Sequence, residues 1–236
     1  MTARVLVVNH EASLSGAPRV ALDVVKALRA EGDEVILVHR WGGPFRGEMD
    51  AAASRAYLEP WAPVRAALRR VRRLRPLANR LEAFAARRVV RRERPDLVWA
   101  NTVLSAAYVV AARQAGVPVV LHSHEPPSYM AEVLVRHHLV GSPDAVRGVT
   151  LVGCSPETSA GLAAATGAAP DGVTTLRSAV DVGSLASAQA QRAGRDHDAV
   201  TLEVISAELL ALPVTEAARR IYDATRRVQE RAGTLG

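Results

Sequence analysis

Apolar residues along this chain alternate between short continuous runs and longer segments in which they recur at helical spacing. The continuous runs are typical of strands that are buried on both faces of a sheet. They cover residues 5–8, 35–38, 96–101, 117–122, 150–154 and 172–176. The periodic segments predict helices with one apolar face, and Gly32 and Gly116 mark two helix ends. This alternation predicts an α/β fold, a doubly wound, Rossmann-like parallel sheet with helices on both faces.

The α/β pattern ends near residue 182, and we expect three regions along the chain. Residues 1–182 are predicted to form the α/β domain, and residues 183–198, rich in Ser, Ala and Gln, a linker. Residues 199–236 are predicted to form a C-terminal extension that is mostly helical. The helical period is clearest over residues 215–231.

Composition excludes several classes of protein. The hydrophobic content of 49% is ample for a core. No apolar run approaches the ~20 residues that a membrane span requires, and the N-terminus enters a strand without the features of a signal peptide. Cys154 is the single cysteine, so no internal disulfide can form. We therefore expect a cytoplasmic protein.

The basic residues are unevenly distributed. The net charge is +6, and an excess of arginine over lysine fits a codon bias that favours Arg and Ala. Twelve arginines nevertheless fall within residues 65–94, against only Glu82 and Glu93. In this region the apolar positions at helical spacing are Trp61, Val64, Ala67, Leu68, Val71 and Leu74, and the region is predicted to break near Pro76.

This pattern predicts a basic amphipathic helix, for which two interpretations stay open. Arg65, Arg69, Arg70, Arg72 and Arg73 occupy much of the remaining circumference. They suit an anionic membrane surface, which would place the protein peripherally on the inner face of the plasma membrane. They also suit a solvated face on which arginine stems cover apolar surface. An aromatic content of 4% leaves few aromatic side chains on which nucleic-acid bases could stack, so we expect no nucleic-acid partner.

Polar residues collect at the carboxyl ends of three predicted strands, where open α/β sheets bind ligands. The candidates are Ser15, Gly16 and Ala17 after the first strand, Asn101 and Thr102 after the third, and His122, His124 and Glu125 after the fourth. They offer many hydrogen-bonding groups with little apolar surface. This combination suits a sugar or phosphate better than a flat aromatic ligand.

Each of these signals also has a simpler interpretation. Ser15-Gly16 lacks the dinucleotide and P-loop fingerprints and is typical of a tight turn before a helix. Asn101-Thr102 could cap the next helix. His122 and His124 lie two apart and so point to one face of a strand, where a histidine beside Glu125 could act as a general base. No metal-binding spacing is present, and we expect no metal or other cofactor.

Four segments together resemble the N-terminal half of family 4 glycosyltransferases, which have the GT-B fold. These segments are residues 15–22, 95–102 and 116–125, and the pair 154–158 with 176–181. The ordered resemblance covers about residues 4–182. Each piece is weakly specific alone, but the set in this order is fairly specific.

The resemblance implies a nucleotide-sugar-dependent, retaining sugar transferase. By position, Gly16 and Ala17 would approach a phosphate or the acceptor, and His124, the candidate catalytic residue, would contact the transferred sugar. The nucleotide sugar is a substrate rather than a cofactor, and the acceptor is a sugar or a lipid-linked sugar. The basic region resembles the surface by which some members dock on membranes.

Two departures from the family pattern qualify this expectation. Ser178-Ala179 replaces the expected Asn-Gly, and the C-terminal donor-binding domain is not found after Asp181. We therefore expect a domain that is incomplete on its own: a truncated product, one subunit of a split transferase whose donor half is a partner chain, or a non-catalytic remnant. The alternatives are a binding subunit with the same fold, acting at a membrane surface, and, third, another nucleotide-binding α/β protein.

Overall fold

The computed structural model describes residues 2–176, which form a seven-stranded sheet in which all neighbouring strands are parallel. The strands are β1 (Arg4–Glu11), β2 (Glu34–Trp41), β3 (Arg55–Leu58), β4 (Leu97–Asn101), β5 (Val119–Ser123), β6 (Val149–Gly153) and β7 (Val173–Thr175). Their order across the sheet is β3-β2-β1-β4-β5-β6-β7. The predicted Rossmann-like parallel sheet is confirmed.

Seven α-helices connect the strands within the described residues. They are α1 (Gly16–Ala30), α2 (Arg46–Ala52), α3 (Ala62–Arg70), α4 (Arg75–Glu93), α5 (Ala106–Gln114), α6 (Pro127–Arg136) and α7 (Pro156–Thr166). The predicted glycine ends are present, because Gly32 and Gly116 follow α1 and α5 with φ of 88° and 67°. Ser155 caps α7 by accepting a hydrogen bond from the Thr158 amide.

Alternate residues of β1 enter two separate cores, which explains its continuous apolar run. Leu6 and Val8 pack in a core with residues of α4 to α7, whereas Val5 and Val7 pack in a core with residues of α1 and α2. All four side chains are fully buried. The helices therefore cover both faces of the sheet, as in doubly wound folds.

The strand β3 was not among the predicted strands. It is a four-residue strand at the sheet edge, and its residues are exposed or half-buried. A strand without a fully buried face carries no aliphatic run, so the sequence pattern gives no signal for it. The predicted linker at 183–198, the extension at 199–236 with its helix at 215–231, and the segment 177–181 lie outside the described residues.

The strand order reverses between β1 and β4. At this point of the sheet, the connection after β1 and the connection after β4 run to opposite faces of the sheet. A crevice opens between them at the carboxyl ends of the strands. The carboxyl ends of β1, β4 and β5 lie beside it, and those of β2 and β3 form the other half of the same edge.

Candidate functional site

The side chain of Asn101, at the end of β4, links two other predicted site residues, Ala17 and His124. Its side chain is fully buried, and its amide nitrogen donates to the carbonyl oxygen of Ala17 at 2.9 Å. Its amide oxygen lies 3.2 Å from Nε2 of His124. One amide therefore holds the start of α1 against the histidine that follows β5. The alternative role, a side-chain cap for the next helix, is wrong, because no side chain caps the turn Val103–Ser105 or α5.

His124 is neutral at neutral pH. Burial lowers its pKa to about 4, because a buried imidazolium loses its hydration. An amide oxygen only accepts, so the contact with Asn101 places the ring proton on Nε2 and leaves Nδ1 as a hydrogen-bond acceptor. His124 is thus arranged to bind a hydroxyl group rather than to carry a positive charge.

Glu125 supports the main chain instead of the imidazole. Its Oε2 accepts from the Ser123 hydroxyl at 3.1 Å, the His124 amide at 3.0 Å and the Val103 amide at 3.3 Å. These three hydrogen bonds direct the carboxylate toward the two loops and not toward the His124 ring, and a role of His124 as a general base stays a prediction. Glu125 ties the loop after β4 to the loop after β5.

His122 lies beneath His124 and not on the surface. The two ring centroids are 4.2 Å apart, which confirms that both side chains share one face of the sheet. The side chain of His122 is 0% exposed and sits edge-on to Trp99 at 5.8 Å. Burial and the neighbouring His124 lower its pKa well below the ordinary value. His122 is fully buried because β5 is an interior strand covered by helices, and its direct contact with a substrate stays a prediction.

Thr102 adopts a backbone conformation that the sequence did not predict. Its φ of 91° lies in a region that favours glycine, and its amide donates to the His122 carbonyl at 2.7 Å. Its hydroxyl is buried with no hydrogen-bond partner among the described residues. Thr102 therefore acts through its main chain, as a strained link between β4 and β5, and not through a hydroxyl open to a ligand.

The loop after β1 leaves the N-terminus of α1 open. Ser15 and Gly16 are exposed, and a Cβ built on Gly16 would meet no atom within 4 Å. The Ser15 hydroxyl does not cap α1; it lies 2.8 Å from Ser13 Oγ, which in turn reaches Glu11 at 2.7 Å. The first amides of a helix have no intrahelical partner, so those of Gly16 and Ala17 are donors available to an anion.

Gly43, a loop residue that was not among the candidates, fixes the base of that loop. A Cβ on Gly43 would lie 2.2 Å from the carbonyl oxygen of Ala12, and the Phe45 amide donates to the same oxygen at 2.9 Å. Only glycine allows this close approach of two main chains. The pattern Gly42-Gly43-Pro44 predicts a loop, but sequence alone does not indicate which loop it contacts.

The β2 and β3 half of the edge is filled by a buried ion network, which consists of Arg40, Glu59, Arg65, Arg69 and Glu82. Glu59 pairs with Arg65, and lies 3.6 Å from Arg40. Glu82 pairs with Arg40 and with Arg69. All members except Arg69 are buried. The network holds α3 and α4 to the ends of β2 and β3.

This network corrects two of the predicted membrane-surface residues. Arg65 is 1% exposed, packs over Trp41 and pairs with Glu59; Arg69 is half-buried and pairs with Glu82. The physical reason is charge compensation, since a buried carboxylate without a counter-charge would cost several kcal/mol. Arg70, Arg72 and Arg73 are exposed, as predicted.

The apolar residues of this region face solvent instead of the core. Because Arg65 lies inside, α3 turns its arginine side and not its apolar side toward the core. The predicted helical segment divides into α3, a short turn at Arg72–Leu74 and α4, and Pro76 lies in the first turn of α4. The exposed large apolar residues are Trp61, Val64, Val71, Leu74, Leu77 and Phe84, each 39–51% exposed. Exposed basic and apolar side chains therefore occur together along residues 61–84, and we call the exposed surface of α3, the turn and α4 the α3–α4 outer face.

Neither a metal cluster nor a membrane span occurs in the part of the chain that the structure describes. Residues 2–176 contain no group of three or more His, Cys, Asp or Glu side chains that could hold a metal ion. Over the same residues, no helix is both long and apolar enough to cross a bilayer.

Two solved structures share this fold over about half of their length. Alr3699/HepE from Anabaena, crystallised with UDP and glucose, aligns with a TM-score of 0.53 and 18% identity, covering 81% of this chain and 50% of that chain. A glycosyltransferase from Rickettsia africae aligns with a TM-score of 0.56 and 13% identity, covering 84% and 51%. This chain thus spans about half the length of the solved structures that it matches. A comparison with curated proteins gives no match.

The family profile covers the site as well as the fold. Residues 14–183 match Glycosyltransferase Family 4, which is more than half of the 236 residues. The matched range includes the first amides of α1, Asn101 and His124. The chain therefore belongs to Glycosyltransferase Family 4, and its described residues form one GT-B-type domain.

Proposed function

We propose that this chain forms the acceptor-side half of a nucleotide-sugar-dependent, retaining sugar transferase. One observation carries the proposal: Asn101 binds both the Ala17 carbonyl and His124, so the open start of α1 and a neutral imidazole form one hydrogen-bonded unit. Helix amides suit a phosphate, and an imidazole Nδ1 suits a sugar hydroxyl. The two groups meet at the crevice where the strand order reverses.

The role of each residue in transfer follows from its chemistry. Gly16 and Ala17 would donate amide hydrogens to a phosphate or to the acceptor, where the positive end of the α1 dipole stabilises negative charge. His124 would accept a hydrogen bond from the transferred sugar and keep its hydroxyl oriented. Glu125 and Thr102 would hold the two loops in register. No cofactor enters this proposal, since the nucleotide sugar is itself a substrate.

The rest of the site is proposed to come from a donor-binding half, in another domain or in a partner chain. This chain spans about half of the solved structures that it matches, and the complex of Alr3699/HepE with UDP and glucose supports a nucleotide sugar as the donor class. GT-B chemistry in this proposal takes place between the two halves, so the described residues supply one wall.

The test is a transfer assay with a panel of UDP- and TDP-sugars, run on this chain alone and together with a donor-binding half. We expect transfer only with both halves, and a product that keeps the anomeric configuration of the donor, read by proton NMR. Transfer by this chain alone would contradict the division into halves. A product of inverted configuration would contradict the retaining mechanism.

A second candidate function is a non-catalytic binding subunit that works at an anionic membrane. The specific observation is the α3–α4 outer face, where exposed apolar side chains lie among Arg70, Arg72 and Arg73. Such a face suits shallow insertion of apolar groups with arginines at the headgroups. The face would also serve the transferase, by bringing it to a lipid-linked acceptor.

Vesicle binding tests this second function. Replacing Arg70, Arg72 and Arg73 by Gln should weaken binding to vesicles of anionic lipid by about 100-fold, at ~1 kcal/mol per basic residue. The control replaces Arg19, Arg29 and Arg147, which are exposed elsewhere, and makes the same change in net charge. Equal losses in both triple variants would contradict a defined membrane-binding face.

A further inference from the structure

A pocket lies away from the crevice, between α4, α5 and the end of α6. It has a volume of about 170 Å³, and no residue that lines it belongs to the transfer site. This volume is well below the roughly 300 Å³ at which drug-sized ligand pockets begin. The pocket, which we call the side pocket, therefore has room only for a small group.

The walls of the side pocket combine an apolar floor with a polar rim that includes two arginines. The floor consists of Ala83, Ala107, Val110 and Ala111, and the rim of Asn79, Arg87, Gln114, Arg136, His137 and His138. No carboxylate is among these lining residues. All six rim side chains can donate hydrogen bonds, and an acceptor with several oxygen atoms matches such a rim.

The charge around the side pocket favours an anion. Arg87 and Arg136 both have exposed side chains; Arg136 keeps a surface contact of 3.3 Å with Glu132. Such an exposed pair is weak and leaves most of the guanidinium hydrogens available. Glu82, the buried carboxylate whose charge reaches His137, is already paired with Arg40 and Arg69 in the ion network. Arg136 thus shares its charge with Glu132, whereas Arg87 forms no ion pair within residues 2–176, so the rim keeps positive charge.

We propose that the side pocket binds the phosphate group of a small phosphate ester, with the phosphate at Arg87, Arg136 and His138 and the carbon atoms on the alanine floor. The guanidinium groups match phosphate oxygens in geometry and charge. The ester has two sources, the headgroup of an anionic phospholipid or a soluble metabolite such as a glycerol phosphate. This site goes beyond the proposed transfer function, because it shares no residue with it.

A matched pair of variants on α4 tests the proposal in the full chain. Arg87 lines the side pocket, whereas the next residue, Arg88, is exposed and does not. Arg87→Gln and Arg88→Gln remove the same charge from neighbouring positions. Binding of glycerol 3-phosphate is measured by calorimetry, and binding of phosphatidylglycerol vesicles by sedimentation, with phosphatidylcholine vesicles as the uncharged reference.

We expect saturable binding that Arg87→Gln weakens at least about tenfold and Arg88→Gln less than twofold, since a charge-assisted hydrogen bond is lost only in the first. If glycerol 3-phosphate shows this pattern, the ligand is a soluble ester; if only anionic vesicles show it, the ligand is a lipid headgroup. Absence of saturable binding to both probes, or equal losses in the two variants, overturns the proposal.

A second variant separates filling of the side pocket from loss of charge. Val110 is partly exposed on the floor, so Val110→Phe should fill the space while the domain stays folded. We expect this variant to block binding of the probe that the wild-type chain binds, without any change in net charge. Unchanged binding in Val110→Phe would place the anion on the surface of α4 and overturn the pocket.

Discussion

The two halves of the sheet's carboxyl edge bury polar groups in opposite ways. At the ends of β2 and β3, the ion network pairs guanidinium groups with carboxylates, and all but one of its members are buried. At the ends of β1, β4 and β5, the groups around Asn101 are neutral: an amide, two imidazoles of lowered pKa and open helix amides. The two carboxylates there, Glu11 and Glu125, accept hydrogen bonds from hydroxyls or main-chain amides and form no pair with an arginine within residues 2–176, so we call this side the neutral half.

The difference separates a structural half from a binding half. The ionic half uses its charges to hold α3 and α4 on the sheet, and a ligand would have to displace those pairs to reach them. The neutral half keeps Nδ1 of His124 and the first amides of α1 available, and it holds them in place through Asn101. Sugar and phosphate groups can bind there without breaking an ion pair.

The largest expected effect comes from breaking the ionic half. Glu59→Gln should lower the free energy of unfolding by about 3 kcal/mol or more, because it leaves the charges of Arg40 and Arg65 buried without this counter-charge. Urea denaturation measures the change. Glu132→Gln, which breaks the exposed pair with Arg136, is the control and should cost less than about 0.5 kcal/mol.

A similar loss in both variants would show that the ion network contributes no more than a surface pair. The ionic half could then no longer be described as the structural half, and the contrast with the binding half would be lost.

Acidification should affect the neutral half next. The pKa of His124 is about 4 in the folded chain, against an ordinary value of 6.5. Between these values the unfolded chain binds a proton that the folded chain does not, so stability is full above about pH 6.5 and is lost as the pH falls toward 4. His124 contributes at most about 1.4 kcal/mol per pH unit in this window.

Urea denaturation at pH 7, 6 and 5 measures this slope. His10 and His137 also have a pKa lowered to about 4, chiefly by burial, and add to the slope of the wild-type chain. His124→Gln should therefore reduce the slope without abolishing it. An unchanged slope would show that folding does not lower the pKa of His124, so that the imidazole gains its proton near pH 6.5, and the description of the site as neutral would fail below that pH.

Asn101→Ala should have a smaller effect on stability and a local effect on the site. It removes the bonds to the Ala17 carbonyl and to His124, and a loss of 1–3 kcal/mol is expected because the partners stay buried in part. In NMR spectra of the variant, the amide chemical shifts of Gly16 and Ala17 should differ from those of the wild-type chain. Shifts that stay in place would mean that α1 is positioned without Asn101.

The strands and their common edge were predictable, whereas the orientation of α3 was not. Strands buried on both faces carry aliphatic runs, and parallel strands bring their carboxyl ends together, which is why Asn101 and His124 could be grouped from sequence. The helical period of residues 61–74 indicates an amphipathic helix but not which side lies inside. Glu59 decides that, by pairing with Arg65 in the interior.

Details of the site depend on contacts that no local pattern reports. The burial of His122 follows from the helices that cover β5, and the positive φ of Thr102 is rare for a β-branched residue. The β3 strand was missed for the opposite reason, since an exposed edge strand needs no apolar residues.

The most direct test of the central claim, that the neutral half is a wall of the sugar-transfer site, is the effect of His124→Ala on transfer. Assayed together with its donor-binding half, the variant should lose at least about 100-fold in kcat/KM, as when an electrostatic group at a transition state is removed. Its free energy of unfolding at pH 7 should stay within about 1 kcal/mol of wild type. Arg147→Ala, an exposed change beside Asp144, should transfer sugar normally. Full activity of His124→Ala would contradict the account.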